Sequence, residues 1–171
     1  NNPYWATKNN KFNENTHRFF GNTFIEYTPN INWSDDKKLS VKWQIGTDSY
    51  TSLYKDLYEY GTQGQAGSIK NYGVTNNIFN SLFTANYEMD LMEDLQFAAM
   101  LGNEVNQENK RTYEDYGQSF NFGGNPTIQN TTIQSSTWER RRVRTVGFFG
   151  SISLTWKDQL FLNITGRNDI V

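Results

Sequence analysis

Between Thr145 and Asp169, apolar and polar side chains alternate almost without interruption: TVGFFGSISLTWKDQLFLNITGRND. Val146, Phe148, Ile152, Leu154 and Trp156 share one parity, while Ser151, Ser153 and Thr155 share the other. After Lys157-Asp158-Gln159 the alternation resumes, with Leu160, Leu162 and Ile164 against Asn163, Thr165 and Arg167. Successive side chains of a strand point to opposite faces, so the pattern predicts two strands with one greasy and one polar face. A three-residue loop over 157–159 sets Trp156 opposite Leu160, Leu154 opposite Leu162 and Ile152 opposite Ile164. On the other face it sets Ser151 opposite Thr165, Ser153 opposite Asn163 and Phe149 opposite Arg167. A two-residue loop would slip the register by one and oppose apolar to polar side chains.

Upstream, the same alternation predicts four further strand segments. The segment Asn1 to Asn15 is polar, with Pro3-Tyr4-Trp5 as its one distinctive cluster. A first strand follows over Thr16 to Thr28, with Phe19, Ile25 and Tyr27 on one face. Pro29 to Lys38 reads as a turn, and Leu39 to Asp48 as a second strand with Leu39, Val41, Trp43 and Ile45 on one face. Pairing Tyr27 with Leu39 would put Arg18 opposite Asp48 as a cross-strand ion pair. Tyr50 to Gly73 reads as a long connection, with a weak helical pattern over 53–60. A third strand, Thr75 to Glu88, carries Phe79, Phe83, Ala85 and Tyr87 on one face. A tight acidic turn and a fourth strand over Leu95 to Val105 come next, then a second long connection from Asn106 to Thr137. The fifth strand begins at Trp138.

Connections that alternate short and long place tight turns at one end of an up-and-down meander and long loops at the other. Outer-membrane barrels have that asymmetry. The expected fold is all-β: an antiparallel meander of about six strands. Six strands are fewer than the smallest single-chain bacterial barrels use, and the sequence stops inside a strand-like run at Ile170-Val171. A segment of a larger barrel is therefore expected, with residues 1–171 as part of one barrel domain.

Composition sharpens the choice of solvent. The chain has 171 residues, of which 36% are hydrophobic and 16% aromatic, and its mean hydropathy is −0.78. Strands that are apolar on one face only fit such a balance, including those of a membrane barrel with a polar lumen. No apolar run approaches the roughly 18 residues of a membrane helix. A net charge of −2 leaves no nucleic-acid footprint. The absence of cysteine excludes disulfides and thiolate metal sites.

The candidate chemistry is sparse. His17 has no second histidine or cysteine to share a metal. Asp35-Asp36 and the group Glu88, Asp90, Glu93 and Asp94 read as solvated turn charges, lacking calcium-loop spacing. Gly61, Gly64 and Gly67 lack the strand-to-helix context of a phosphate loop. Asn32, Asn130 and Asn163 head glycosylation sequons, which would carry meaning only in a secreted eukaryotic protein. Arg140, Arg141, Arg142 and Arg144 form the basic run, and on a strand they alternate faces; a solvated rim is the plain reading, and acidic lipopolysaccharide groups or a partner the functional one. Arg18, Asp48, Arg167 and Asp169 fall on polar parities and are candidates for a lumen face. Tyr50, Tyr54, Tyr58, Tyr60 and Tyr72 are the candidate ligand contacts, since aromatic faces stack on sugar rings and hydroxyls offer hydrogen bonds. No nucleophile–base arrangement is present, so neither enzyme activity nor a cofactor is expected.

The order of several short motifs resembles the barrel of SusC/RagA-like TonB-dependent transporters. They are Asn2-Pro3-Tyr4-Trp5, Arg18-Phe19-Phe20-Gly21-Asn22, Ile45-Gly46-Thr47-Asp48-Ser49-Tyr50, Leu101-Gly102-Asn103-Glu104 and Gly147-Phe148-Phe149-Gly150. The run Lys157 to Asp169, with its Gly166-Arg167-Asn168-Asp169 end, is the most specific of them. The resemblance implies a large outer-membrane importer of Bacteroidetes-type bacteria, with a barrel of about 22 strands and an internal plug. It implies uptake of glycans, peptides or similar nutrients under a SusD-like surface lipoprotein, energised through TonB, with the barrel seated in outer-membrane lipid. No plug or TonB box is matched. A passive porin or adhesin barrel is the main alternative, and a soluble carbohydrate-binding β-sandwich the second.

Overall fold

The computed structural model describes residues 2–29, 37–62 and 65–171. A short helix α1 (Pro3–Asn9) precedes six strands: β1 (Lys11–Tyr27), β2 (Lys37–Tyr58), β3 (Ser68–Met92), β4 (Leu95–Phe120), β5 (Thr131–Trp156) and β6 (Leu160–Ile170). Each strand pairs with its neighbours in sequence, giving one antiparallel sheet in the order β1-β2-β3-β4-β5-β6. No second sheet packs on it among the described residues, so the sandwich alternative falls.

The last hairpin has the register set by its pattern. Trp156 pairs with Leu160, Leu154 with Leu162, Ile152 with Ile164 and Phe149 with Arg167. The loop holds Lys157 and Asp158 at φ of 53° and 52°, and the Gln159 amide closes it on the Trp156 carbonyl at 3.0 Å.

The helix at Pro3 was not expected. Asn2 caps it by accepting the Tyr4 amide at 3.0 Å, and Pro3, whose fixed φ suits a helix start, opens it. Elsewhere the main difference is strand length. The segments read as long connections are mostly strand: β2 continues through Tyr58, with no helix over 53–60, and β4 runs to Phe120. The loops left are 59–67 and 121–130, against two- and three-residue turns at 93–94 and 157–159. Much of the turn read over Pro29 to Lys38, including Asn32 and Asp35-Asp36, lies outside the described residues.

The chain divides into two compact units. In the unit of Asn1–Phe19, Ser49–Asn77 and Asn109–Arg142, a small core forms from Leu57, Ile69 and Phe120, with Ile128 against it. These are the only buried hydrophobics among the described residues. Gly67 makes this loop end possible, with φ at +75° and a side chain there placed 2.9 Å from the Phe120 ring. Asn130 donates to the Phe122 and Asn125 carbonyls at 2.8 and 2.9 Å.

The unit of Phe20–Asp48, Ile78–Glu108 and Val143–Val171 has no such core. Asn22, Gly46 and Asn80 sit side by side across β1, β2 and β3, and Glu88, Gln96 and Ser153 line one recess across β3, β4 and β5. These contacts assign the polar parities to one face. The other face carries Ile25, Tyr27, Trp43, Phe83, Leu101, Phe148, Ile152, Trp156, Leu162 and Ile164, all 42–70% exposed.

Candidate functional site

Three motifs that lie apart in sequence meet on the polar face of β4, β5 and β6. Arg167 is their centre. Its Nη2 lies 2.8 Å from Glu104 Oε2 and 2.9 Å from Asp169 Oδ1, and its Nε donates to both Asp169 oxygens at 2.9 and 3.0 Å. Asn106 donates to Glu104 at 2.8 Å. Two carboxylates around one guanidinium leave the cluster with one net negative charge.

Glycines make room for this arrangement. A side chain at Gly147 would stand 2.8 Å from Arg167 Nη2, and one at Gly102 would run into the Phe149 ring. Phe149 therefore reaches across β4 over Gly102, with the Arg167 guanidinium 5.7 Å from its ring centre. Parity alone places Arg167 and Asp169 together, and they do pair. Glu104, Gly102 and Phe149 join them only through the register of β4 on β5. The legible signal was glycine on the polar parity of both β4 and β5, opposite bulky partners.

The cross-strand pairing expected for Arg18 and Asp48 rests on Tyr27 facing Leu39. Asn22 beside Gly46, at 3.8 Å between side-chain positions, instead sets β1 against β2 two residues away from that register, because diagonal neighbours stand about 7–8 Å apart. Arg18 lies on β1 and Asp48 on β2, and both are engaged in interactions.

Of the five tyrosines, Tyr50, Tyr54 and Tyr58 are on β2, Tyr72 on β3, and Tyr60 in the loop that follows β2. They are strand residues more than loop residues. Tyr54 and Tyr72 stack with ring centres 4.8 Å apart and planes 7° from parallel. Tyr58 instead meets Phe12 edge-on at 5.4 Å. Lys70 lies 4.9 Å over the Tyr72 ring and pairs with Glu114 at 3.0 Å. The Glu114 hydrogen bond raises the Lys70 ammonium above its ordinary value. Partial desolvation, and then Asp56, raise the Tyr72 phenol. Tyr54, Tyr72, Thr112, Glu114 and Glu139 line an open recess of about 460 Å³. An aromatic wall with adjacent carboxylates suits a neutral or cationic polar ligand.

The remaining candidates are dispersed. Glu88 and Asp90 line a separate recess of about 380 Å³ with Lys38 and Gln96, and Asp94 pairs with Lys157 at 3.6 Å. Among the described residues no group of three or more histidine or acidic side chains is placed to hold a metal. Gly64 lies outside the described residues, while Gly61 and Gly67 adopt positive φ in the loop after β2.

No protein-family model matches the sequence, and no curated protein matches it. Solved structures do. A chain of the RagAB peptide importer in its "closed-closed" state aligns over 98% of this chain, with a TM-score of 0.78 at 17% identity. The "open-open" state aligns over 98% with a TM-score of 0.76 at 15% identity. A further structure of the RagAB peptide transporter gives 0.72 at 17%.

This is the fold of a segment of a large β-barrel.

The segment spans 18–19% of the length of those chains. As a piece of barrel wall, one sheet with a polar and an apolar face needs no covering layer on either side. No described helix is long and apolar enough to cross a membrane, and strands are judged by their faces instead.

Proposed function

We propose that the chain is part of the barrel wall of a SusC-like, TonB-dependent outer-membrane importer, with its polar face toward the lumen and its apolar face toward lipid. The observation that carries this reading is the sheet face from Ile25 to Ile164, whose aromatic and aliphatic side chains are 42–70% exposed. Water would not tolerate an apolar surface that broad on a monomer. The likeness to peptide-importer chains supports the choice of a transporter barrel. In this reading residues 1–171 belong to one barrel domain, and the plug and TonB-contacting parts of the protein lie outside them. The cargo is a peptide or glycan nutrient, a SusD-like lipoprotein covers the outer mouth, and the stacked Tyr54 and Tyr72 contact cargo as it enters.

The face assignment is tested in the full-length protein by Leu154→Arg and Ser153→Arg, neighbours of opposite parity. A lipid-facing arginine at mid-span costs about 2–4 kcal/mol, whereas lumen substitutions are tolerated. The folded fraction in outer membranes, read as heat-modifiable mobility on gels, should fall for Leu154→Arg and stay near wild type for Ser153→Arg. Equal losses would sink the assignment. Uptake measured with and without TonB separates an importer from a passive porin, because porin flux continues without it.

A further inference from the structure

In the unit of Phe20–Asp48, Ile78–Glu108 and Val143–Val171, the glycines of the polar face differ in what lies above them. Gly102 and Gly147 are overlain by Phe149 and Arg167, and a side chain at either would clash. Gly46 has no such reason to be glycine. A side chain there would meet Asn22, Asn80 and the Gly21 carbonyl at 3.8–3.9 Å, which is ordinary contact. A bare glycine inside a strand costs stability, and it often marks a place where a ligand comes close.

The space over Gly46 is a pit and not a groove. Asn22 on β1 and Asn80 on β3 wall it across the sheet, where strands two apart are separated by about 9–10 Å. Gln44 and Asp48, two residues either way along β2, share its face and close it along the strand. An extended chain laid along β2 would run into both, whereas a compact ring would not. These residues line one recess of about 470 Å³ together with Phe20, whose ring is 69% exposed.

The walls choose the chemistry of the occupant. Asp48 is already engaged, and Glu104, at the edge of the recess, is held by Arg167 and Asn106. The groups left to meet a ligand are the carboxamides of Asn22, Gln44 and Asn80. Each offers donors and an acceptor without charge, which suits hydroxyl groups set around the edge of a neutral ring. Phe20 adds an apolar face of the kind that covers the C–H side of a sugar. We propose that Gly46 is the floor of a seat for one neutral saccharide unit of the cargo, walled by Asn22, Gln44 and Asn80 and flanked by Phe20. The proposal rests on the importer reading above, in which this face is open to cargo, and the test below keeps the two apart.

The full-length protein in detergent is profiled on arrays of neutral oligosaccharides, sialylated oligosaccharides and peptides, and the best-retained neutral oligosaccharide is titrated by calorimetry. Gly46→Val should abolish its binding while the folded fraction stays at wild type, because the added side chain fills the seat without a clash. Asn22→Ala and Asn80→Ala only remove atoms, and each should weaken binding by about three- to tenfold, the worth of one neutral hydrogen bond. Gly21→Val, on the opposite parity, meets nothing within 4 Å and should bind as wild type. Retention of no neutral oligosaccharide, wild-type affinity in Gly46→Val and in the two alanine variants, or an equal loss in Gly21→Val would each overturn the proposal. Retention of peptides alone, lost in Gly46→Val, would give the pit to a peptide side chain and overturn the saccharide. Any of these with uptake still dependent on TonB leaves the importer standing and removes only the sugar seat.

Discussion

Gly102→Ala gives the sharpest test of the polar-face cluster. The added methyl enters the space of the Phe149 ring. A phenyl ring can usually swing away, but here its swing costs the contact with Arg167, whose guanidinium sits 5.7 Å from the ring centre. Arg167 cannot follow freely, because Glu104 and Asp169 hold it at 2.8 and 2.9 Å. Overpacking of this kind typically costs about 1–3 kcal/mol, and the anchored neighbour puts Gly102→Ala in the middle of that range rather than at its foot. Gly166→Ala is the control: a side chain there meets nothing within 4 Å, and removing glycine flexibility alone should cost nothing. The assay is urea unfolding of the full-length protein in lipid vesicles, followed by gel mobility. Phe149→Leu completes a double-mutant cycle, and its combination with Gly102→Ala should be clearly less than additive, since the shorter side chain vacates the clash. Should Gly102→Ala unfold at the same urea concentration as Gly166→Ala, the packing of Phe149 on β4 is wrong, and with it the route by which Glu104 reaches Arg167.

Other expectations follow from single contacts. Asn130→Ala removes two donors to loop carbonyls at 2.8 and 2.9 Å and should cost about 1–3 kcal/mol locally, read as faster proteolytic nicking within 121–130. Arg167→Met strands Glu104 and Asp169 together and should lower the unfolding midpoint more than Lys157→Met, which loses exposed contacts with Asp94 at 3.6 Å and with the Trp156 ring at 5.3 Å. Tyr54→Ala and Tyr72→Ala should weaken cargo binding to similar extents, with the double variant little worse than either, because each ring is held by the other. The Lys70–Glu114 pair is held by a lysine raised above its ordinary 10.5. Its contribution should therefore persist at lower pH and disappear as pH climbs through the raised value, a drop absent from Lys70→Gln in alkaline unfolding.

What the sequence revealed depended on contrast between faces. In the last hairpin, leucine and isoleucine alternate with serine, threonine and asparagine, and a one-residue slip would be obvious; its register was legible in full. Beyond Asp48 and Val105 both parities are polar, so the periodic signal vanishes although the backbone continues as strand to Tyr58 and Phe120. The tyrosines were assigned to a loop for that reason, and of the five only Tyr54 and Tyr72 stack on each other. The opening helix had ordinary signals, an asparagine cap and a proline at its first position, obscured by the polar run around them. In the Arg167 cluster, a strand's own parity supplied Asp169, while Glu104 needed the offset between two strands that share no turn pattern.

The vanishing contrast is itself informative about where lipid could lie. β4 is 26 residues long, whereas a tilted strand needs about 9–11 residues to cross a membrane. An outward apolar band in such barrels is about 25 Å tall, so less than half of β4 can face lipid. The sequence divides at the right place: outward positions Leu95, Phe97, Ala99 and Leu101 are apolar, and Asn103, Gln107, Asn109, Arg111 and Asp115 beyond them are mostly polar. A strand with water on both sides needs no greasy face and shows none. Low mean hydropathy and a lipid-facing band are thus compatible in one chain.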